Sequence, residues 1–91
     1  MQSAIQMPNE GELRALARRV LSTGGLPRRD PDRTWGGAGV GAPCSLCGEP
    51  VRRDQTEYEL QFFRDGATPG LDRYHLHIRC FSAWEMERTK V

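Results

Sequence analysis

Two short pairs of metal-binding side chains constrain this chain more than anything else in it. The first is Cys44 and Cys47 in "CSLC", and the second is His77 and Cys80 in "HIRC". Two cysteines in C-x2-C spacing, held in a tight turn, can aim both sulfurs at one ion. Gly48 follows the pair and permits the backbone conformation that swings amide N–H groups toward thiolates. Pro43 and Pro50 bracket the turn and stiffen it. His77 and Cys80 stand three apart at the start of an expected helix, a spacing that puts both on one face of its first turn. A helix N-terminus also favours the negative charge of a zinc–thiolate centre.

The cysteine count points the same way. Three cysteines cannot all pair within one chain, and a metal site with a histidine as fourth ligand accounts for the odd number. Soft thiolates and an imidazole in a four-coordinate set suit zinc. Such a set is closed, so the expected role of the metal is structural and hydrolytic chemistry is not expected. A redox C-x2-C would leave Cys80 unexplained and lacks a βαβ pattern around it.

"YHLHIRC" offers two histidines, His75 and His77. On a strand both would face one side, so alternation cannot separate them. The helix start can: His77 and Cys80 converge on one ion, whereas His75 and Cys80 diverge. The expected ligands are therefore Cys44, Cys47, His77 and Cys80, with His75 a surface group or a neighbour of the site.

The rest of the chain is read around this constellation. Residues 1–8 are expected to be a flexible tail. Residues 9–23 read as an amphipathic helix. Asn9 caps it, with Glu12 in capping-box position. Leu13, Leu16, Ala17, Val20 and Leu21 make one apolar stripe, and Gly24 and Gly25 supply the stop. So short a helix is marginal alone and must pack on something, on its own domain or on a partner. Residues 24–43 hold six of the ten glycines and read as a Gly/Pro-rich linker or irregular loop. Trp35 is expected to pin that segment to the core.

Residues 44–91 are expected to form the zinc-binding module. "TEYELQFF" alternates, with Tyr58, Leu60 and Phe62 on one face and Glu57, Glu59 and Gln61 on the other, as in a half-buried strand. "RDGATPG" is a turn, "LDRYHLH" a second strand, and "IRCFSAWEMER" a helix. A module this short sits near the length at which a chain needs a metal or disulfides to fold.

A C-x2-C knuckle, a β-hairpin and a helix whose first turn supplies two more ligands resemble the treble-clef zinc-finger group. "H-x2-C-F" at His77–Phe81 also looks like the second half of LIM domains and of poly(ADP-ribose) polymerase-type fingers. The resemblance covers about residues 44–85 and implies a small α+β, treble-clef-like module, preceded here by the N-terminal helix and linker. It departs from LIM domains in having no second zinc half. It departs from polymerase-type fingers in charge: residues 44–91 carry seven basic and eight acidic groups, whereas DNA-break binding needs a basic surface. The metal ligands carry over and the DNA-binding role does not. A treble-clef nuclease would need further catalytic groups that "FSAWEMER" lacks.

The overall charge of +1, from 13 basic and 12 acidic residues, excludes a strongly basic nucleic-acid binder. The favoured function is a structural-zinc module that binds another protein, with Trp35, Phe63 or Trp84 as candidate contacts. The alternative is a nucleic-acid-binding finger or small transcriptional regulator using Arg28-Arg29, Arg52-Arg53, Arg73 and Arg79. A thiol sensor is a third class, and an enzyme the least favoured because His75 is the only spare imidazole. No apolar run reaches membrane-spanning length and the N-terminus lacks a secretory pattern, so the default expectation is a cytoplasmic protein with no membrane partner.

Overall fold

The computed structural model describes residues 8–66 and 69–90. The flexible tail expected at residues 1–8 therefore lies almost wholly outside the described residues. The order of elements is α1 (Glu10–Thr23), β1 (Arg33–Ala38), β2 (Thr56–Arg64), β3 (Gly70–His77) and α2 (Ile78–Arg88). The three strands form one antiparallel sheet in the order β1-β2-β3. This is a small α+β architecture.

Helix α1 begins where its sequence says it should. The Asn9 side chain accepts from the Glu12 N–H at 2.8 Å, and the Glu12 carboxylate accepts from the Asn9 N–H at 2.9 Å, which satisfies two of the orphan donors of the first turn. Gly24 ends it in the left-handed region, φ 82°. Leu13 and Ala17 are fully buried, and Leu16, Val20 and Leu21 pack against the core. The stripe thus packs within the chain, chiefly against α2.

An ionic clamp reinforces that helix pair. The Glu87 side chain on α2 is 1% exposed and receives Arg14 Nε at 2.8 Å, with Arg18 at 3.4 Å and Lys90 at 3.3 Å. Arg14, Arg18 and Lys90 satisfy a carboxylate that would otherwise be costly to bury. The hydrogen bond from Arg14 is the largest influence. With help from Lys90 and Arg18 it outweighs burial and holds the Glu87 carboxyl down at about 2.

The core lies between the two helices and one face of the sheet. Its largest members are Trp84, Phe62, Leu13, Leu26, Leu60 and Leu76. Trp84 meets Phe62 edge-on with ring centres 6.5 Å apart, and its indole N–H donates to the Pro27 carbonyl at 3.0 Å. That bond lets a large aromatic be fully buried without leaving a polar atom unpaired.

The segment at 24–43 departs from the linker or irregular loop expected there, because residues 33–38 within it form strand β1. Trp35 pairs across from Glu59, and Gly36 from Tyr58. Pairing with β2 overrides a local composition rich in glycine. Trp35 does not pin the segment to the core. It is 53% exposed, because alternation in β1 sends it to the face bearing Glu59, away from Leu60. Beyond β1 the chain keeps running beside residues 51–55, with Gly39 N–H on Gln55 O and Gly41 N–H on Val51 O, both 2.8 Å. The approach at Gly39 is so close that a β-carbon there would strike the carbonyl oxygens of Val51 and Arg52.

Strand β2 also departs from simple half-burial. Leu60 and Phe62 are buried as expected, but so are Glu57 and Gln61 on the opposite face, at 6% and 8% exposure. The neighbouring strands supply the cover: His75 and His77 lie opposite Glu59 and Glu57, and Arg33 and Arg73 flank Gln61.

Candidate metal centre

The knuckle is built by short-range geometry. Cys44 N–H donates to Glu49 O at 2.8 Å and Gly48 N–H to Cys44 O at 2.9 Å, closing the turn, with Gly48 at φ 85°. A residue with a β-carbon would be strained at that φ. Pro43 and Pro50 face one another across an antiparallel bridge. The Leu46 N–H points at Cys44 Sγ, 3.4 Å away.

The knuckle is then fastened to the end of β3. Ser45 N–H donates to His75 O at 2.8 Å, and Cys44 and His75 form a parallel bridge. Strand β3 therefore delivers His77 beside the cysteines. His77 is the N-cap of α2, still in extended conformation at φ −62°, ψ 156°, and its side chain makes no capping bond. The ring is thus free to turn toward the knuckle, and one helical turn on, Cys80 faces the same point.

The four residues expected from the spacing are brought together. Their ligand atoms all lie within 4.8 Å of one another. His77 Nδ1 is 3.5 Å from Cys47 Sγ and 3.9 Å from Cys80 Sγ. Cys44, His77 and Cys80 are buried and Cys47 is half-buried. This cluster could hold a metal ion, and its donors, three thiols and one imidazole, are those that suit zinc.

His77 is oriented from behind. Its Nε2 lies 3.2 Å from the Pro50 carbonyl oxygen. A carbonyl only accepts, so the proton sits on Nε2 and the lone pair of Nδ1 faces the sulfurs. Sequence reasoning missed Pro50 in this role. A backbone acceptor has no side-chain signature, and only the fold brings it to the ring.

The thiols are strongly coupled. The hydrogen bond from Cys80 pulls Cys44 down to about 4, assisted by backbone N–H groups and opposed by burial. The same bond, together with burial, pushes the Cys80 thiol up. Burial is also the main cause that pushes Cys47 up. Cys44 is thus the sulfur that meets a cation as thiolate, while Cys80 and Cys47 hold their protons and would release them to solvent on binding a metal.

His75 stands outside this cluster. Its Nδ1 lies 3.0 and 3.1 Å from the two carboxylate oxygens of Glu57. Of the candidate contact residues, Trp84 is fully buried, whereas Trp35 and Phe63 are 53% and 42% exposed. No described helix is long and apolar enough to cross a membrane. Set against known proteins, the chain matches no family model, no curated protein and no solved structure.

Proposed function

We propose that this chain is a small structural-zinc module of treble-clef type whose role is to bind another protein. The observation that carries the zinc assignment is the convergence of Cys44, Cys47, His77 and Cys80 within 4.8 Å, at the meeting point of a knuckle, a hairpin and a helix N-terminus. With four protein donors the shell is complete, so the zinc ties elements together and leaves no position for a reacting water. It joins residues 44–47 to the β3–α2 junction, and so stabilises a fold whose core is small.

The protein-binding role rests on the sheet. Its helix-free face carries Trp35 and Phe63, both substantially exposed. Large exposed aromatics next to polar groups are the composition of a contact patch. Against a nucleic-acid role stands the pairing of most of the arginines, among them Arg29 with Asp32, Arg52 with Asp54, Arg64 with Asp72, Arg73 with Glu59, Arg79 with Glu10 and Arg88 with Asp30.

Native mass spectrometry with and without chelator tests the metal half of this reading. A single zinc per chain, removable only with loss of the folded charge-state distribution, is the expected result. A metal-free folded chain would overturn it. A gel-shift titration across salt tests the partner class, and salt-sensitive binding of nucleic acid near physiological ionic strength would overturn the protein-binding role.

A further inference from the structure

The helix-free face of the sheet carries a second cluster that the zinc module does not use. Glu57 and Glu59 point to this face from β2, and His75 points to it from β3, directly across from Glu59. One ligand atom from each lies within 4.8 Å of the other two. The side chains are far from ordinary surface groups: Glu57 is 8% exposed, and Glu59 and His75 are each 22% exposed.

Glu57 is the informative member. Both its oxygens crowd one ring nitrogen of His75, at 3.0 and 3.1 Å. One imidazole N–H supplies one proton, whereas an ionised carboxylate offers about four acceptor sites. Among the described residues no arginine, lysine or backbone N–H reaches Glu57, so this nine-tenths buried carboxylate has no partner outside the cluster. Every other deeply buried charge in the described fold is better served. Glu87 has Arg14, Arg18 and Lys90, and even the half-buried Glu59 has Gln61 Nε2 at 2.9 Å and Arg73 at 3.6 Å. Two carboxylates at alternate positions of one strand also repel each other, and the fold nevertheless holds both against one imidazole.

We infer that Glu57, Glu59 and His75 form a second site, for a divalent first-row metal ion. Two carboxylates and an imidazole are harder donors than the thiolates of the first cluster, and they suit Mn²⁺ or Fe²⁺. Three protein ligands leave coordination positions for water, so this site is open where the first is closed. The site is open on its β1 side: Gly37 of β1 lies directly across from Glu57, and a β-carbon built on it meets nothing within 4 Å. The rival reading is a plain His75–Glu57 ion pair that needs no metal.

Mn²⁺ separates the two readings, because it is a poor match for thiolates and its binding here does not depend on what the cysteine cluster holds. The full chain, as purified, is titrated with Mn²⁺ and followed by amide NMR line broadening. Broadening centred on residues 57, 59 and 75, saturating at a single ion per chain, is expected. Glu59→Gln should weaken it by about tenfold or more with the folded spectrum intact. Glu57→Gln should abolish it, and Glu59→Gln keeps the test decisive if the buried substitution disturbs folding. Broadening spread over exposed carboxylates such as Asp54 and Asp65, or equal in wild type and Glu59→Gln, would overturn the site in favour of the ion pair.

Discussion

The Pro50 carbonyl oxygen lies 3.2 Å behind His77 Nε2 and turns the opposite ring nitrogen toward Cys47 and Cys80. Residues from two parts of the chain thereby fix one tautomer. His77→Ala should remove a ligand and its support together. Zinc content, read by mass spectrometry, should fall well below that of wild type, with loss of the folded spectrum. His75→Ala should retain zinc at the cysteine cluster. The reverse pattern would reassign the fourth ligand.

Chelation should act as a denaturant for this fold. Apparent binding energies for structural zinc are on the order of 10–16 kcal/mol, comparable to the whole stability of a small domain. Excess EDTA should therefore collapse the thermal transition seen by circular dichroism, and added Zn²⁺ should restore it. Rebinding should also release protons, because burial pushes the Cys47 thiol up, and the hydrogen bond between Cys80 and Cys44, with burial, pushes the Cys80 thiol up. Proton release into a weakly buffered dye solution measures this directly.

Much of this architecture is legible in the sequence where the determinants are local. Asn9 and Glu12 announce α1, alternation from Thr56 to Phe63 announces β2, and the cysteine spacing announces the knuckle. Strand β1 is not legible, because "RTWGGA" reads as loop until β2 supplies its hydrogen-bonding partner. The burial of Glu57 is hidden for a related reason. Which face of a strand meets solvent is written in its own pattern, but the depth of its second face depends on the side chains of the neighbouring strands. Large aromatics are usually buried, which alone would place Trp35 inward, but the register of β1 sends it out.

Gly39 tests how tightly the segment after β1 is pressed to the knuckle's far end. A β-carbon there meets the carbonyl oxygens of Val51 and Arg52, and backbone cannot move aside as a flexible side chain can. Gly39→Ala should destabilise the zinc-loaded protein by about 1–3 kcal/mol, read as a shift of the urea midpoint. Gly37→Ala, two residues earlier with open space around it, is the control and should change the midpoint little.

Trp84 fills the centre of the core and bonds Pro27 at 3.0 Å. Trp84→Ala should cost about 3–5 kcal/mol, enough to leave little stability in a domain this small. Trp84→Phe keeps most of the ring but leaves the Pro27 carbonyl without its donor, and should cost less. Thermal melts of the two zinc-loaded variants should rank accordingly.

Glu87 gives a pH dependence whose sign follows from its partners. Hydrogen bonds from Arg14, then Lys90 and Arg18, lower its carboxyl from the ordinary 4.5 to about 2 in the folded chain. A group lowered on folding contributes stability that is fully present above its unfolded value and is lost as pH falls toward its folded value. The contribution should therefore be constant at neutral pH, begin to decline near pH 4.5 and vanish near pH 2. The thiolate cluster also takes up protons in acid, so wild type alone cannot isolate this effect. The difference in denaturation midpoint between wild type and Glu87→Gln, measured at each pH, can. It should be flat from pH 7 to about pH 5 and then narrow steadily. A difference that stayed constant down to pH 3 would mean that α1 is held to α2 by Leu13 and Ala17 packing alone, with the buried carboxylate contributing nothing that depends on its charge.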